Sequence, residues 1–142
     1  MYQKILAALD NSPPEQALIE HVARLAALTR ARVLLLHVAD GWVARNYDAL
    51  QLAESEEMKE DRAYLGEVAA RLRAQGLDVT TRLALGDPPK EILKVAEEEA
   101  CDLIAMTTHG HRLLGDLFLG STIESVRHKS QIPILIVRGA TP

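Results

Sequence analysis

The chain has 142 residues, 48% hydrophobic and 25% charged, a length that fits one domain over 1–142 and buries on the order of 70% of the unfolded surface. Sixteen basic against twenty acidic side chains leave a net charge of −4, which disfavours a nucleic-acid binder because phosphate neutralisation needs a basic surface. A single cysteine excludes an internal disulfide framework and a multi-cysteine zinc site.

The first apolar run, Lys4–Leu9, reads as a strand. Only five apolar residues separate Lys4 from Asp10, too few for a signal peptide. Asp10-Asn11-Ser12-Pro13 ends that strand and opens a helix with Ala17, Leu18, His21, Val22, Leu25 and Leu28 on one face. A second strand follows at Arg32–Val38, with His37 packing at its end. Asp40 to Asp48 is the least patterned region and Glu54–Arg62 is charge-dense, which reads as a loop leading into a solvated helix start. That helix carries Met58, Leu65, Val68, Ala69 and Leu72 on one face and stops at Gly76.

Val79–Leu85 is the third strand. Asp87 before Pro88 places a side-chain acceptor at an N-cap and a ring of preset φ at the first helical position. The helix that follows aligns Ile92, Leu93, Val95, Ala96 and Ala100. Cys101 reads as inert core before the fourth strand, Leu103–Thr107; a short helix carries Ile123 and Val126, and Pro133 precedes the last strand, Ile134–Val137.

Continuous apolar runs of four to seven residues are how strands buried on both faces read. The order is βαβαβαβαβ, which predicts an α/β fold: an open five-stranded parallel sheet, helices on both faces, right-handed crossovers. The longest apolar stretches, Ile5–Leu9 and Val33–Leu36, fall far short of the roughly 20 residues that span a membrane. The expectation is a cytoplasmic protein with no membrane insertion and no nucleic-acid partner.

In such a sheet, ligands bind beyond the carboxyl ends of the strands where strand order reverses. The loops there are Asp10–Ser12, Ala39–Gly41 and Thr107–Gly120. In the third, Gly120 is followed by Ser121 and Thr122 at a helix start. Glycine lets an anion approach the backbone, and first-turn N–H groups and hydroxyls supply donors. Residues 106–142 carry a net +2 and the rest −6, which leans the same way. Gly115–Ser121 has a P-loop outline but no lysine, and the turn after the first strand has no glycine, so neither P-loop hydrolysis nor a dinucleotide fingerprint is supported. The same glycines also read as shaping a long loop. His109 and His111 read as phosphate neighbours or solvated loop residues, since a metal site needs a third ligand. Asp10 reads as a helix cap, a general base or a metal ligand. Ser121 has no assigned base and is not a nucleophile.

Thr108-His109-Gly110, nine residues, then Gly120-Ser121, a short helix and Ile132–Val137 resemble the universal stress protein family. Ile5–Asp10, Leu35–Val38, Gly86–Pro88 and Ala100–Ile104 fit as well. The resemblance covers essentially the whole chain except 41–62. It implies a Rossmann-like, adenine nucleotide alpha hydrolase-like fold that binds ATP, ADP or AMP, and a role in stress response. By that resemblance Gly110, Gly120 and Ser121 hold the phosphates and the Val38 backbone contacts adenine. Asp10 lies by the nucleoside or a phosphate-bound Mg²⁺. Ala8, Leu9, Met106, Thr107, His111 and Thr122 complete the candidate set. The resemblance also implies a homodimer through the last strand, Ile134, Leu135, Ile136 and Val137. Three positions depart from the family pattern: Thr107 replaces its first loop glycine, Ala8 a common proline, and Asn11 a glycine. The alternatives are a dimeric interaction module that binds no nucleotide, which Thr107 favours, or a slow ATPase.

Overall fold

Five apolar runs form the strands of one parallel sheet in a computed structural model that describes residues 1–12, 15–39, 56–108 and 122–139. They are β1 (Lys4–Ala8), β2 (Arg32–Ala39), β3 (Val79–Leu85), β4 (Leu103–Thr107) and β5 (Ile134–Val137). The helices among the described residues are α1 (Glu15–Thr29), α2 (Glu56–Ala74), α3 (Pro88–Glu98) and α4 (122–129). The strand order is β3-β2-β1-β4-β5. β1 therefore sits at the centre, pairing Ile5–Ala7 with Val33–Leu35 on one side and Leu103–Ala105 on the other.

Alternation along the strands builds two cores. Ile5, Ala7, Leu9, Val33, Leu35, Leu103 and Ala105 pack with Leu18 and Val22 of α1 and Leu65, Val68 and Leu72 of α2. Leu6, Leu34, Leu36, Ile104 and Met106 pack with Ile92, Val95 and Ala96 of α3 and Val126 of α4. The inner strands are thus covered on both faces, as their apolar runs require, whereas the edge strands are not: β3 leaves Thr80 and Thr81 exposed and β5 leaves Ile136 exposed. The direction of winding reverses between β1 and β4, the position whose carboxyl-end side doubly wound sheets generally use for ligands.

Three local expectations are corrected. The buried face of α1 is Leu18, Ile19, Val22, Ala23 and Ala26, which turns His21 outward and leaves Leu28 83% exposed. Ala100 is also exposed. It lies beyond α3 at φ 55°, where the Cys101 N–H closes the helix on the Ala96 carbonyl at 2.9 Å. Asp87 stands at the N-cap of α3 but makes no side-chain cap bond. Pro89 at the second helical position removes one of the two N–H groups such a cap would serve. Gly86 (φ 139°) makes the turn out of β3, its N–H bonded to the Ala39 carbonyl at 3.1 Å. A Cβ there would also press on the Glu91 side chain at 3.3 Å.

Candidate functional site

Leu9 continues the β1 ladder by donating its N–H to the Leu36 carbonyl at 2.8 Å. The chain then turns through Asp10 and Asn11, and Asn11 adopts φ 61°, a region that Asn tolerates better than most residues. Glu15, the first residue of α1, is fully buried and reaches back under this turn. Its Oε2 accepts the Asp10 N–H at 2.8 Å and its Oε1 the Asn11 N–H at 2.9 Å. Tyr64 of α2 donates its hydroxyl to Oε1 at 2.5 Å. Burial, reinforced by the neighbouring Asp10 carboxylate, pushes the Glu15 carboxyl up to about 8 against the pull of the Tyr64 hydrogen bond. Burial and Glu15 together raise the Tyr64 hydroxyl well above its ordinary range.

A second arm holds the same turn. His37, near the end of β2, has Nδ1 2.8 Å from the Leu9 carbonyl, which requires Nδ1 to carry the proton. Its Nε2 lies 3.1 Å from Oδ2 of Asp61 on α2, an ion pair whenever the ring is protonated. Asp61 is buried, so this part of the charge-dense run is packed rather than solvated.

Asp10 itself accepts the Ser12 hydroxyl on Oδ1. Its other oxygen, Oδ2, is buried without a hydrogen-bond partner among the described residues, and so is Oγ1 of Thr108, one residue past β4. β1 and β4 are adjacent, so both orphaned atoms stand at the reversal of strand order. Buried polar atoms are rarely left unpaired, and a carboxylate oxygen and a hydroxyl both suit a polar ligand.

Ala8, Leu9, Asp10, Val38, Met106, Thr107 and Thr122 stand at or beside strand ends on this edge or at the start of α4. Leu9, Met106, Thr107 and Thr122 are buried, while Ala8, Asp10 and Val38 are half-buried. Gly110, His111, Gly120 and Ser121 lie outside the described residues, as do His109 and Trp42. No group of three His, Cys, Asp or Glu side chains that could hold a metal ion occurs among the described residues. No helix among them is long and apolar enough to cross a membrane. Sequence reading missed Glu15, Tyr64 and Asp61. The one signal for them was Ser12-x-x-Glu15 before an apolar run, a capping-box spacing, although Glu15 binds the two amides before Ser12 instead.

Fold and site together define a doubly wound α/β protein with a candidate ligand edge at the β1–β4 reversal. Residues 1–138 match the universal stress protein family, and the chain belongs to it. Universal stress protein MJ0577 of Methanocaldococcus jannaschii is 30% identical over 155 residues, covering 97% of this chain and 96% of that protein. The solved structure of MJ0577 matches with a TM-score of 0.84 at 31% identity, covering 100% of this chain and 99% of the other. A universal stress protein solved in complex with cAMP matches at TM-score 0.70 and 22% identity, covering 98% of each chain. One from Archaeoglobus fulgidus in complex with dAMP matches at 0.71 and 20%, covering 95% of this chain and 97% of the other. At those two identities the likeness is one of fold.

Proposed function

We propose that this universal stress protein binds an adenine nucleotide, with ATP, ADP or AMP as the candidates, at the carboxyl edge between β1 and β4. Occupancy would then regulate partner binding in a stress response. The observation that carries this reading is the two buried atoms without a partner among the described residues, Asp10 Oδ2 and Thr108 Oγ1, at the reversal of strand order where doubly wound sheets generally bind ligands. Relatives of the same fold in complex with cAMP and dAMP support it.

Asp10 stands by the nucleoside or a phosphate-bound Mg²⁺, and the Val38 backbone faces adenine. Gly110, Gly120, Ser121 and Thr122 hold the phosphates at the start of α4, with His111 beside them. Ala8, Leu9, Met106 and Thr107 shape the floor. A bound Mg²⁺ would neutralise phosphate charge beside Asp10. Without a P-loop lysine or an assigned acid–base set, the site binds nucleotide with slow hydrolysis at most. We place the protein in the cytoplasm as one domain over 1–142. β5 is the sheet's last strand and its Ile136 is 40% exposed, which supports a homodimer through Ile134–Val137.

A melting screen of ATP, ADP and AMP, with and without Mg²⁺, tests the reading. At a hundredfold excess over Kd a ligand stabilises by about 2.7 kcal/mol. Gly120→Leu abolishes the shift by filling the phosphate seat. Nucleotide-free protein whose transition none of the three moves would end the proposal.

A further inference from the structure

Three consecutive residues at the end of β1 have their backbone groups held by side chains. The Leu9 carbonyl accepts from His37, and the Asp10 and Asn11 amides donate to Glu15. Behind each arm stands α2, through Asp61 on one side and Tyr64 on the other. The Asp10 carboxylate is tied on one oxygen by Ser12 and left unpartnered on the other.

We infer that Glu15 is a positioning residue for the ligand site: by holding both amides of the Asp10–Asn11 turn, it fixes the direction in which Asp10 presents its free oxygen to the bound nucleotide. The inference rests on the nucleotide reading above and adds to it a residue that touches no ligand. A buried carboxyl group is costly unless hydrogen-bonded, and here both of its oxygens are engaged, by the two amides and the Tyr64 hydroxyl. Neither amide is free to relax toward another acceptor, so the turn is set before ligand arrives, as preorganised sites require. An aliphatic residue would fill the same space under α1 but would leave two amides and the Tyr64 hydroxyl without their acceptor.

Glutamine separates positioning from charge. Oε2 of Glu15 already lies within reach of both amides, at 2.8 Å for Asp10 and 3.2 Å for Asn11. A glutamine oxygen there keeps the Asp10 bond and the longer of the two Asn11 bonds, while its NH2 donates to the Tyr64 oxygen and replaces the closer acceptor of the Asn11 N–H. Aspartate keeps the carboxyl group but is one methylene too short to reach.

The test is calorimetric titration of AMP and of ATP with Mg²⁺ into wild type, E15A, E15D, E15Q and V22A, well below every melting transition. We expect E15A and E15D to weaken binding roughly tenfold or more, and E15Q, which keeps an acceptor within reach of both amides, to bind clearly more tightly than either. V22A, an α1 core variant away from the turn, loses thermal stability and keeps its affinity. E15D carries the test if E15A does not fold. Wild-type affinity in E15A or E15D beside a binding wild type overturns the positioning role alone, as does an E15Q as weak as E15A. Failure of wild type to bind either nucleotide overturns both readings together.

Discussion

Tyr64 donates to a carboxylate oxygen of Glu15 at 2.5 Å, joining the middle of α2 to the first residue of α1 where Glu15 has no exposed surface. The bond favours the ionised carboxylate, and burial opposes it more strongly. The carboxyl rises from an ordinary 4.5 to about 8, with Asp10 adding to the effect.

Stability should therefore depend on pH through this one group. Folded protein keeps the Glu15 proton between about 4.5 and 8, whereas unfolded chain has lost it. The site's contribution is complete below 4.5, declines as pH rises, and is gone above 8. Urea denaturation between pH 5 and 9 should show a loss of a few kcal/mol, which E15Q flattens. An E15Q profile that falls as steeply as wild type would assign the slope to other groups.

Helix ends offer a second test. α1, α2 and α3 each close with the same bond, from Ala31 N–H to the Ala26 carbonyl, Leu77 to Leu72 and Cys101 to Ala96. The residue before the donor is left-handed in each case: Arg30 (φ 60°), Gly76 (φ 91°) and Ala100 (φ 55°). Only the second is glycine. Arg30→Gly and Ala100→Gly should each stabilise the protein by about 0.5–1 kcal/mol, and Gly76→Ala should cost a similar amount. Thermal melts of the three variants decide it, and a loss of stability in either glycine variant would contradict the strain argument.

Cys101 is buried in the core beside α3, and burial raises its thiol to about 11. At pH 8 the native thiol should resist an aromatic disulfide reagent and react stoichiometrically once the chain is denatured. Fast labelling of native protein would mean that this part of the core opens readily.

On β5, Ile136 carries exposed apolar surface on the sheet's last strand. Ile136→Lys should convert the proposed dimer to monomer with little effect on the monomer's own melting, as an inward charge on a strand edge does. Sedimentation at micromolar concentration reads this directly, and a wild-type chain already monomeric there removes the dimer proposal.

The strands were legible because parallel sheets bury both faces, so runs such as Leu103–Thr107 carry no polar interruption. The contact face of α1 was not, because Ala23 and Ala26 do the packing and give a weaker apolar signal than Leu28, which lies on the far side of the helix. Of the candidate site, Asp10 was readable from its place after β1. Glu15 resembled an ordinary cap, and the partnership of Tyr64 with it, like that of Asp61 with His37, depends on folding distant segments together. Asp61 and Tyr64 sit three residues apart on α2, one turn of helix, yet each meets a different arm under the same turn.

The central place of β1 also bears on how the chain is made. β1 pairs on one side with Arg32–Leu36, which follows soon after, and on the other with Leu103–Ala105. Its start is tied by the Gln3 and Lys4 amides to the carboxylate of Asp102, 98 and 99 residues away in sequence. A ribosome releasing about 5–20 residues per second thus holds a nascent β3-β2-β1 half-sheet for about 1–4 seconds with β1 as a bare apolar edge. In that interval the strand that is innermost in the finished protein is the one most open to association with another chain. Pairing with β4 therefore ends the period of greatest aggregation risk during synthesis.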